Sequence, residues 1–288
     1  MIENDRTVRA EDGTQIAYGI SGRGPAVVLT NGLTTTSFFW KYLWSRLSER
    51  YTVITWDLPG HGRSSPAESA EAAAIESQPA HLARVLDAAG IDAAVQLGWS
   101  VGCQIVLETY RQRPDRCRAL GLLFGPAEHA LGNTRLLVPG TLIDRVLSTR
   151  EGARVAALLQ RVAPVVELPG GPALLRKLRI IGPRTSHADL HELVAELRAV
   201  DPGTVRLMAC SAERHSASDV LARIAVPTLV MAGEHDPFAP PDAVGASLHQ
   251  AIERSEFVRV PGVTHTALLE DPDSIAAAVE PFLAAHAS

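Results

Sequence analysis

Cysteine is scarce in this chain of 288 residues, and its three cysteines are widely spaced and form no Cys-x-x-Cys pair. They are Cys103, Cys117 and Cys210. An odd number in this arrangement argues against a disulfide framework and against a thiolate metal site. The first residues, Met1–Arg6, are polar and acidic and lack the apolar core of a secretory signal peptide. We therefore expect a cytoplasmic protein that binds no metal.

Long apolar runs and concentrated basic charge are also missing. No uninterrupted apolar stretch reaches the ~18 residues that a membrane-spanning helix requires. The 27 Lys and Arg residues are scattered and are outnumbered by 32 Asp and Glu residues, which gives a net charge of −5. Because nucleic acids and anionic membranes bind clustered cations, we expect neither nucleic-acid binding nor membrane insertion.

The glycines do not form a dinucleotide-binding motif. Gly19, Gly22 and Gly24 lack the Gly-x-Gly-x-x-Gly spacing and do not open a helix. We expect no NAD, no FAD and no other cofactor, and a small-molecule substrate as the partner. The oligomeric state is left open.

The chain does contain a regular alternation of short apolar runs and longer helical patterns. Hydrophobic residues make up 46% and charged residues 20%, which permits a packed core. Such alternation predicts an α/β fold with a mostly parallel sheet flanked by helices. The predicted strands are 7–10, 14–20, 26–30, 52–56, 94–98, 119–124, 228–232 and 256–260. The predicted helices between them are 38–48, 79–89, 101–112 and 241–254, with a last one capped by Asp271.

Residues 127–215 interrupt this alternation. They read as successive helices with no strand between them, separated by Pro and Gly. These helices are predicted at 136–148, 153–162, 173–181, 188–200 and 205–212. We interpret the block as an inserted helical lid, or cap, on a core made of residues 1–126 and 216–288.

Residues Gly98–Gly102 read Gly-Trp-Ser-Val-Gly, which matches Gly-x-Ser-x-Gly. The motif follows an apolar strand and opens a helix, the setting that a nucleophile elbow requires. Small residues on both sides permit the sharp turn that exposes the serine hydroxyl. Ser100 is therefore the predicted nucleophile.

Serine needs a base, and the base needs an acid that orients it. Asp236 and His265 each follow an apolar strand, and in α/β sheets sites form at the carboxyl ends of strands. The chain order Ser, acid, His is the order of this elbow class. We predict Asp236 as the orienting acid and His265 as the general base, with Glu234 as the second choice for the acid.

Together these segments resemble the α/β-hydrolase superfamily, in its capped esterase, enol-lactone hydrolase and cofactor-free haloperoxidase-like branch. The resemblance rests on Asn31–Leu33, Asp57–Ser64, Gly98–Gly102, Val226–Asp236 and Gly262–His265. It spans residues 1 to about 126 and 216–288 and does not extend to the predicted lid.

The resemblance implies an oxyanion hole formed by the backbone N–H groups of Leu33 and Val101. Relatives usually carry His-Gly where this chain has Asn31-Gly32. We expect Asn31 to hydrogen-bond the same loop, and we include it among the candidate substrate-binding residues. Trp99 is the other candidate, since it either lines an acyl pocket or packs on top of the sheet.

These features predict a serine hydrolase that cleaves a carboxylic ester, or a related lactone or thioester, through an acyl-enzyme. Apolar residues in the predicted lid (Leu136, Leu137, Val138, Leu142 and Ile143) and at Phe38–Trp40 suggest an apolar acyl substrate. The same triad also serves perhydrolysis, C–C hydrolysis and lyase chemistry, and a ligand-binding protein without turnover could retain it.

Overall fold

The computed structural model describes residues 2, 4–135, 140–149, 152, 154 and 170–287. Eight strands form a single sheet in the order β1-β2-β4-β3-β5-β6-β7-β8. The strands are β1 Arg6–Arg9, β2 Gln15–Ser21, β3 Ala26–Thr30, β4 Thr52–Trp56, β5 Ala94–Trp99, β6 Cys117–Leu123, β7 Thr228–Gly233 and β8 Ser255–Val260. The predicted α/β-hydrolase fold with a mostly parallel sheet is confirmed.

The order and direction of the strands determine which loops meet at the carboxyl ends of the central strands. β1 and β2 pair antiparallel with their neighbours, and all later pairs are parallel. After β3 the chain moves to one side to form β4 and then returns to form β5 on the other side. The loops after β3 and β5 therefore diverge at the carboxyl ends of adjacent strands, where open α/β sheets form their sites.

Helices cover both faces of the sheet. They are α1 Lys41–Leu47, α2 Gln78–Ala89, α3 Gly102–Gln112, α4 Gly140–Leu147, α5 Gly171–Lys177, α6 His187–Ala199, α7 Pro202–Arg214, α8 Ser218–Leu221, α9 Ala246–Ala251, α10 Ala267–Glu270 and α11 Pro272–His286. Asp271 caps α11 as predicted, because its side chain accepts a hydrogen bond from the Ser274 N–H. The predicted helix 241–254 is instead a π turn at Pro241–Gly245 followed by α9.

The central strands are buried on both faces, as parallel strands between helices must be. Val95 and Leu97 of β5 pack in one apolar cluster with Val279 and Phe282 of α11. Val28 of β3 and Ile105 of α3 belong to a second cluster. The site at the edge of the sheet therefore rests on a core that is packed from both sides.

In its described part, the segment between β6 and β7 consists of helices joined by turns and loops, and we name it the helical insertion. It contains α4 to α8 and one isolated antiparallel bridge, which pairs Glu128 with Ser216. The predicted helix 153–162, apart from residue 154, and the start of the predicted helix 136–148 lie outside the described residues. The division of the chain at 127 and 215 remains a prediction, which the bridge supports.

Among the described helices, none is long and apolar enough to cross a membrane.

Candidate active site

Ser100 lies at the tight turn between β5 and α3. Its φ is 57°, a left-handed conformation that is uncommon outside glycine. Its N–H donates to the Leu123 carbonyl at 3.0 Å, which holds the turn against β6. The turn needs the flanking glycines, since a Cβ on Gly98 would lie 2.3 Å from the Gly102 carbonyl oxygen, and one on Gly102 would lie 2.5 Å from the Thr30 oxygen.

Asp236 and His265 meet Ser100 at the same edge of the sheet. His265 Nε2 lies 2.9 Å from Ser100 Oγ, and His265 Nδ1 lies 2.8 Å from Asp236 Oδ2. Asp236 Oδ1 also accepts the backbone N–H groups of Phe238 and Ala239 at 2.8 and 3.0 Å. The carboxylate is therefore held from both sides, and its fixed lone pair selects the His265 tautomer with the proton on Nδ1.

The His265 ring packs between two aromatic rings. Its centroid is 4.9 Å from that of Trp99 and 4.8 Å from that of Phe238. Trp99 Nε1 donates to the His265 carbonyl at 3.2 Å, and the indole stacks on Phe39 at 3.9 Å. These contacts restrict the imidazole to the orientation that reaches Ser100. Trp99 thus packs on top of the sheet and also contacts the base.

Glu270 supports the loop that carries His265, a contact that the sequence did not suggest. Its Oε1 accepts both the N–H and the hydroxyl of Thr264. Burial raises the pKa of Glu270 above its usual range, and the two bonds from Thr264 oppose that rise. The available signal was an acidic residue ending the apolar run Ala267–Leu269, where burial of a carboxyl needs a partner.

Two backbone N–H groups near Ser100 have no acceptor among the described residues. They belong to Leu33, on the loop after β3, and to Val101, directly after Ser100. Both residues line the same cavity as Ser100. Two backbone donors without an acceptor, both in the lining of the cavity that holds the nucleophile, are the arrangement that an oxyanion needs.

His61 holds the Leu33 loop in place. Its Nε2 accepts the Thr34 N–H at 3.0 Å, and its Nδ1 donates to the Pro59 carbonyl at 2.9 Å. Thr34 has a φ of 64°, so this bond stabilises a strained turn directly after Leu33. Burial lowers the pKa of His61 to about 4, and the neutral ring therefore remains an acceptor at neutral pH.

Asn31 differs from its expected role. Its side-chain amide donates to the Trp56 carbonyl at the end of β4, at 3.0 Å, instead of bonding its own loop. Asn31 is fully buried and does not line the cavity at Ser100. The proximity of β3 and β4 gives the amide this nearer partner, so in the structure Asn31 supports the ends of these two strands and does not contact the cavity.

A cavity of about 340 Å³ opens at Ser100. Its lining is mostly apolar and includes Leu33, Phe39 and Trp99 from the core and Leu193 and Leu197 from α6. Of the apolar residues expected to contact substrate, Trp40 is in the core and Leu142 is exposed. Leu136, Leu137 and Val138 lie outside the described residues.

The described residues contain no group of three or more potential metal ligands close enough to hold an ion.

Cys103 lies one helical turn after Ser100, and burial raises the pKa of its thiol. The thiol of Cys103 is therefore held in its protonated form, and its Sγ donates weak hydrogen bonds to the carbonyls of Gly98 and Leu123.

Residues 27–278 match a family model described as the alpha/beta hydrolase family. The chain belongs to the alpha/beta hydrolase family. A 265-residue stretch is 32% identical to a polyketide synthase of Burkholderia thailandensis, covering 91% of this chain. The chain spans 12% of the length of that synthase.

Two solved structures of this alpha/beta hydrolase fold illustrate the likeness. A thermophilic esterase from Thermogutta terrifontis is 24% identical, with a TM-score of 0.75 over 97% of this chain and 98% of that one. An enol-lactonase from Burkholderia xenovorans is 22% identical, with a TM-score of 0.76 over 97% and 100% of the two chains. At these identities the likeness concerns the fold.

Proposed function

We propose that this alpha/beta hydrolase cleaves carboxylic esters through an acyl-enzyme on Ser100. One observation carries the proposal: the unbroken hydrogen-bond series from Ser100 through His265 to Asp236, facing an apolar cavity. Serine is a poor nucleophile alone, and an oriented imidazole is the partner that activates it.

In the first step Ser100 Oγ attacks the ester carbonyl carbon while His265 Nε2 takes the hydroxyl proton. The carbonyl oxygen becomes an oxyanion and accepts the N–H groups of Leu33 and Val101. Collapse of this intermediate breaks the bond to the leaving alcohol, which receives the proton from His265. Asp236 stabilises the imidazolium that forms between these transfers.

In the second step a water molecule attacks the acyl-enzyme and gives its proton to His265. The second oxyanion uses the same two N–H donors, and collapse returns the proton to Ser100 Oγ and releases the acid. Losing one such donor typically costs about 3 kcal/mol of transition-state stabilisation. Both steps use the same catalytic residues and the same two N–H donors, and the atoms and protons balance without a cofactor.

The size of the cavity favours short and medium acyl groups. A volume of about 340 Å³ is near the lower end of ordinary ligand pockets. The described lining also includes Leu131 and Ile180 of the helical insertion, so this segment helps to define the acyl site. This contact supports the interpretation of the insertion as a lid.

The proposal is tested by active-site labelling followed by turnover. A fluorophosphonate probe is expected to label the wild-type protein and not the Ser100→Ala variant. p-Nitrophenyl esters of butyrate, hexanoate and palmitate then measure kcat/KM, and the two shorter esters are expected to be the better substrates.

A matched control for labelling is Ser69→Ala, which changes an exposed serine that does not line the cavity at Ser100. Labelling that persists in Ser100→Ala would contradict the proposed nucleophile. Folded wild-type protein with neither labelling nor turnover would favour a ligand-binding protein without catalysis.

A further inference from the structure

A second cavity, of about 620 Å³, lies beside the loop that carries Asp236. It is bounded by residues 234–237 of that loop, by the end of α5 and by the start of the helical insertion. Four cationic side chains line it, and they are Arg135, Lys177, Arg179 and Arg259. The triad does not use this cavity, although Asp236 contributes to its wall.

The second cavity shares a wall with the cavity at Ser100. Ile180 lines both cavities. Thr134 and Phe238 line the cavity at Ser100, whereas their chain neighbours Arg135 and Pro237 line the second. The Arg135 N–H donates to the Pro237 carbonyl at 2.6 Å, and this backbone contact forms one part of the boundary between the two cavities, which adjoin at Ile180.

The lining of the second cavity has a formal excess of positive charge, with four cations against the three carboxylates of Glu234, Asp236 and Asp242. Arg259 pairs with Asp242. Arg135, Lys177 and Arg179 make no ion pair within the part of the chain that the structure describes. Of the lining carboxylates, Asp236 is engaged by His265, and Glu234 accepts the Gly262 N–H at 2.8 Å. These three cations are exposed residues of the lining, so a ligand in the cavity can reach them without displacing a protein partner.

Arg179 occupies a position that is ordinarily favourable for glycine. Its φ is 58°, and it follows α5 in a hydrogen-bonded C-terminal turn in which Ile180 N–H donates to the Leu175 carbonyl at 3.0 Å. A residue with a Cβ is strained in this conformation. The strained position places a guanidinium at the cavity, next to the shared residue Ile180.

We propose that this second cavity binds an anionic group, a carboxylate or a phosphate, at the far end of the substrate whose ester or thioester bond lies at Ser100. This inference rests on the proposed hydrolase function, because it assigns the substrate class of the same site. Guanidinium and ammonium groups are the usual partners of both anions, and charge-assisted hydrogen bonds are about twice as strong as neutral ones.

Two pairs of substrates test the proposal, and the members of each pair differ in charge. The carboxylate pair is mono-p-nitrophenyl glutarate and p-nitrophenyl 5-methylhexanoate, in which isopropyl replaces the carboxylate. The phosphate pair is S-butyryl-4′-phosphopantetheine and S-butyryl-pantetheine. In at least one pair, the wild-type kcat/KM is expected to favour the charged member by about tenfold at low salt.

The variant is the triple substitution Arg135→Gln, Lys177→Gln and Arg179→Gln. It is expected to bring the ratio of charged to neutral kcat/KM close to one, as added salt does by screening exposed charge. Arg84→Gln, which changes an exposed arginine of α2, is the matched control and should keep the wild-type ratio. Lys177→Gln alone serves as the milder variant should the triple variant unfold.

Calorimetry separates this inference from the proposed hydrolysis. Binding of 4′-phosphopantetheine, pantetheine and glutarate to Ser100→Ala needs no turnover, and the anions should bind more weakly to the triple variant in that background. Unchanged ratios in both substrate pairs together with unchanged anion affinities would overturn the anion site. Absent turnover with a cation-dependent affinity would overturn the hydrolase function alone.

Discussion

His61 illustrates how one buried side chain can organise a site without contacting substrate. The ring is fully buried and joins the Thr34 N–H to the Pro59 carbonyl. Because the bond from Thr34 needs an unprotonated Nε2, the arrangement requires a neutral imidazole. The lowered pKa of about 4 meets this requirement.

The first prediction concerns the pH dependence of this residue. Below its ordinary pKa of 6.5, His61 takes up a proton in the unfolded chain, whereas the folded protein resists it down to about pH 4. Its contribution to stability is therefore present at pH 7 and lost as pH falls through this window. The difference in unfolding free energy between wild type and His61→Gln should shrink by about 2 kcal/mol between pH 7 and pH 5.

Urea denaturation of both proteins at the two pH values measures this difference. The comparison with wild type is necessary because burial raises the pKa of Asp57 to about 6, and protonation of that folded carboxyl opposes the effect of His61. Asp57 is common to both proteins and cancels. A difference that grows toward pH 5 would contradict the assignment of a neutral His61.

The second prediction concerns Asp236. Replacing it by asparagine preserves the shape but presents an N–H donor or a weaker acceptor to His265 Nδ1, which disfavours the required tautomer. We expect kcat for ester hydrolysis to fall by about 10⁴-fold with little change in KM. Steady-state kinetics check this, with the exposed Asp92→Asn as control; a loss below tenfold would argue against Asp236 as the orienting acid.

For individual residues, the sequence predicted those that belong to a motif. It missed the roles of residues that depend on a tertiary contact. Ser100, Asp236 and His265 each follow a recognisable strand, and the structure brings His265 within hydrogen-bond distance of both Ser100 and Asp236. Asn31 was assigned the wrong partner, because Trp56 lies 25 residues away and only strand pairing brings it near. Glu270 lacks any motif.

At the scale of elements, the nucleophile turn depends on close contact between backbones. α3 begins directly against the end of β3, where a Cβ on Gly102 would lie 2.5 Å from the Thr30 oxygen. The elbow is therefore a packing arrangement of a strand pair and a helix as well as a local turn.

The third prediction follows from this contact. Gly102→Ala should lower the unfolding free energy by about 3 kcal/mol, because α3 must move away from β3 to admit the methyl group. Gly90→Ala is the control: its φ of 70° disfavours alanine, but no atom lies within 4 Å of the added Cβ. The control should cost about 1 kcal/mol. Equal losses in urea denaturation would show that the contact with β3 is not limiting.

Helices and strands were predicted well where the hydrophobic pattern is long. They were predicted poorly where the helical geometry changes from one turn to the next. The strands were recognisable because double-sided burial produces continuous apolar runs. The change from a π turn to α9 within 241–251 was not recognisable, since Pro241 only marks a helix start and the helical geometry depends on packing. The short helix α10 was missed for the same reason.

At the scale of the whole molecule, the helical insertion is fastened to the core through α6. Asp189 accepts the Tyr42 hydroxyl at 3.2 Å and forms an ion pair with Lys41. Thr36, on the loop after β3, donates to Glu196. Burial raises the pKa of Glu196 above its usual range, and the bond from Thr36 opposes that rise. These contacts hold α6 beside the loop that carries Leu33.

The fourth prediction tests this attachment. Asp189 is buried whereas Glu192, which also pairs with Lys41, is half exposed. Asp189→Asn should weaken the attachment by about 2 kcal/mol, because it leaves a partly buried ammonium without its nearest charge. Hydrogen exchange of the α6 amides should accelerate while that of β5 is unchanged. Glu192→Gln should have a much smaller effect, and equal acceleration in both variants would contradict this account.

The Glu128–Ser216 bridge has a consequence for how such proteins diversify. The chain enters the helical insertion near Glu128 and leaves it near Ser216, and these two residues pair antiparallel. Closing a chain loop becomes only slowly more costly as the loop lengthens. The segment between Glu128 and Ser216 can therefore become longer, shorter or be replaced while the strands of the sheet keep their pairing. Substrate selectivity can then change without a change in the catalytic residues.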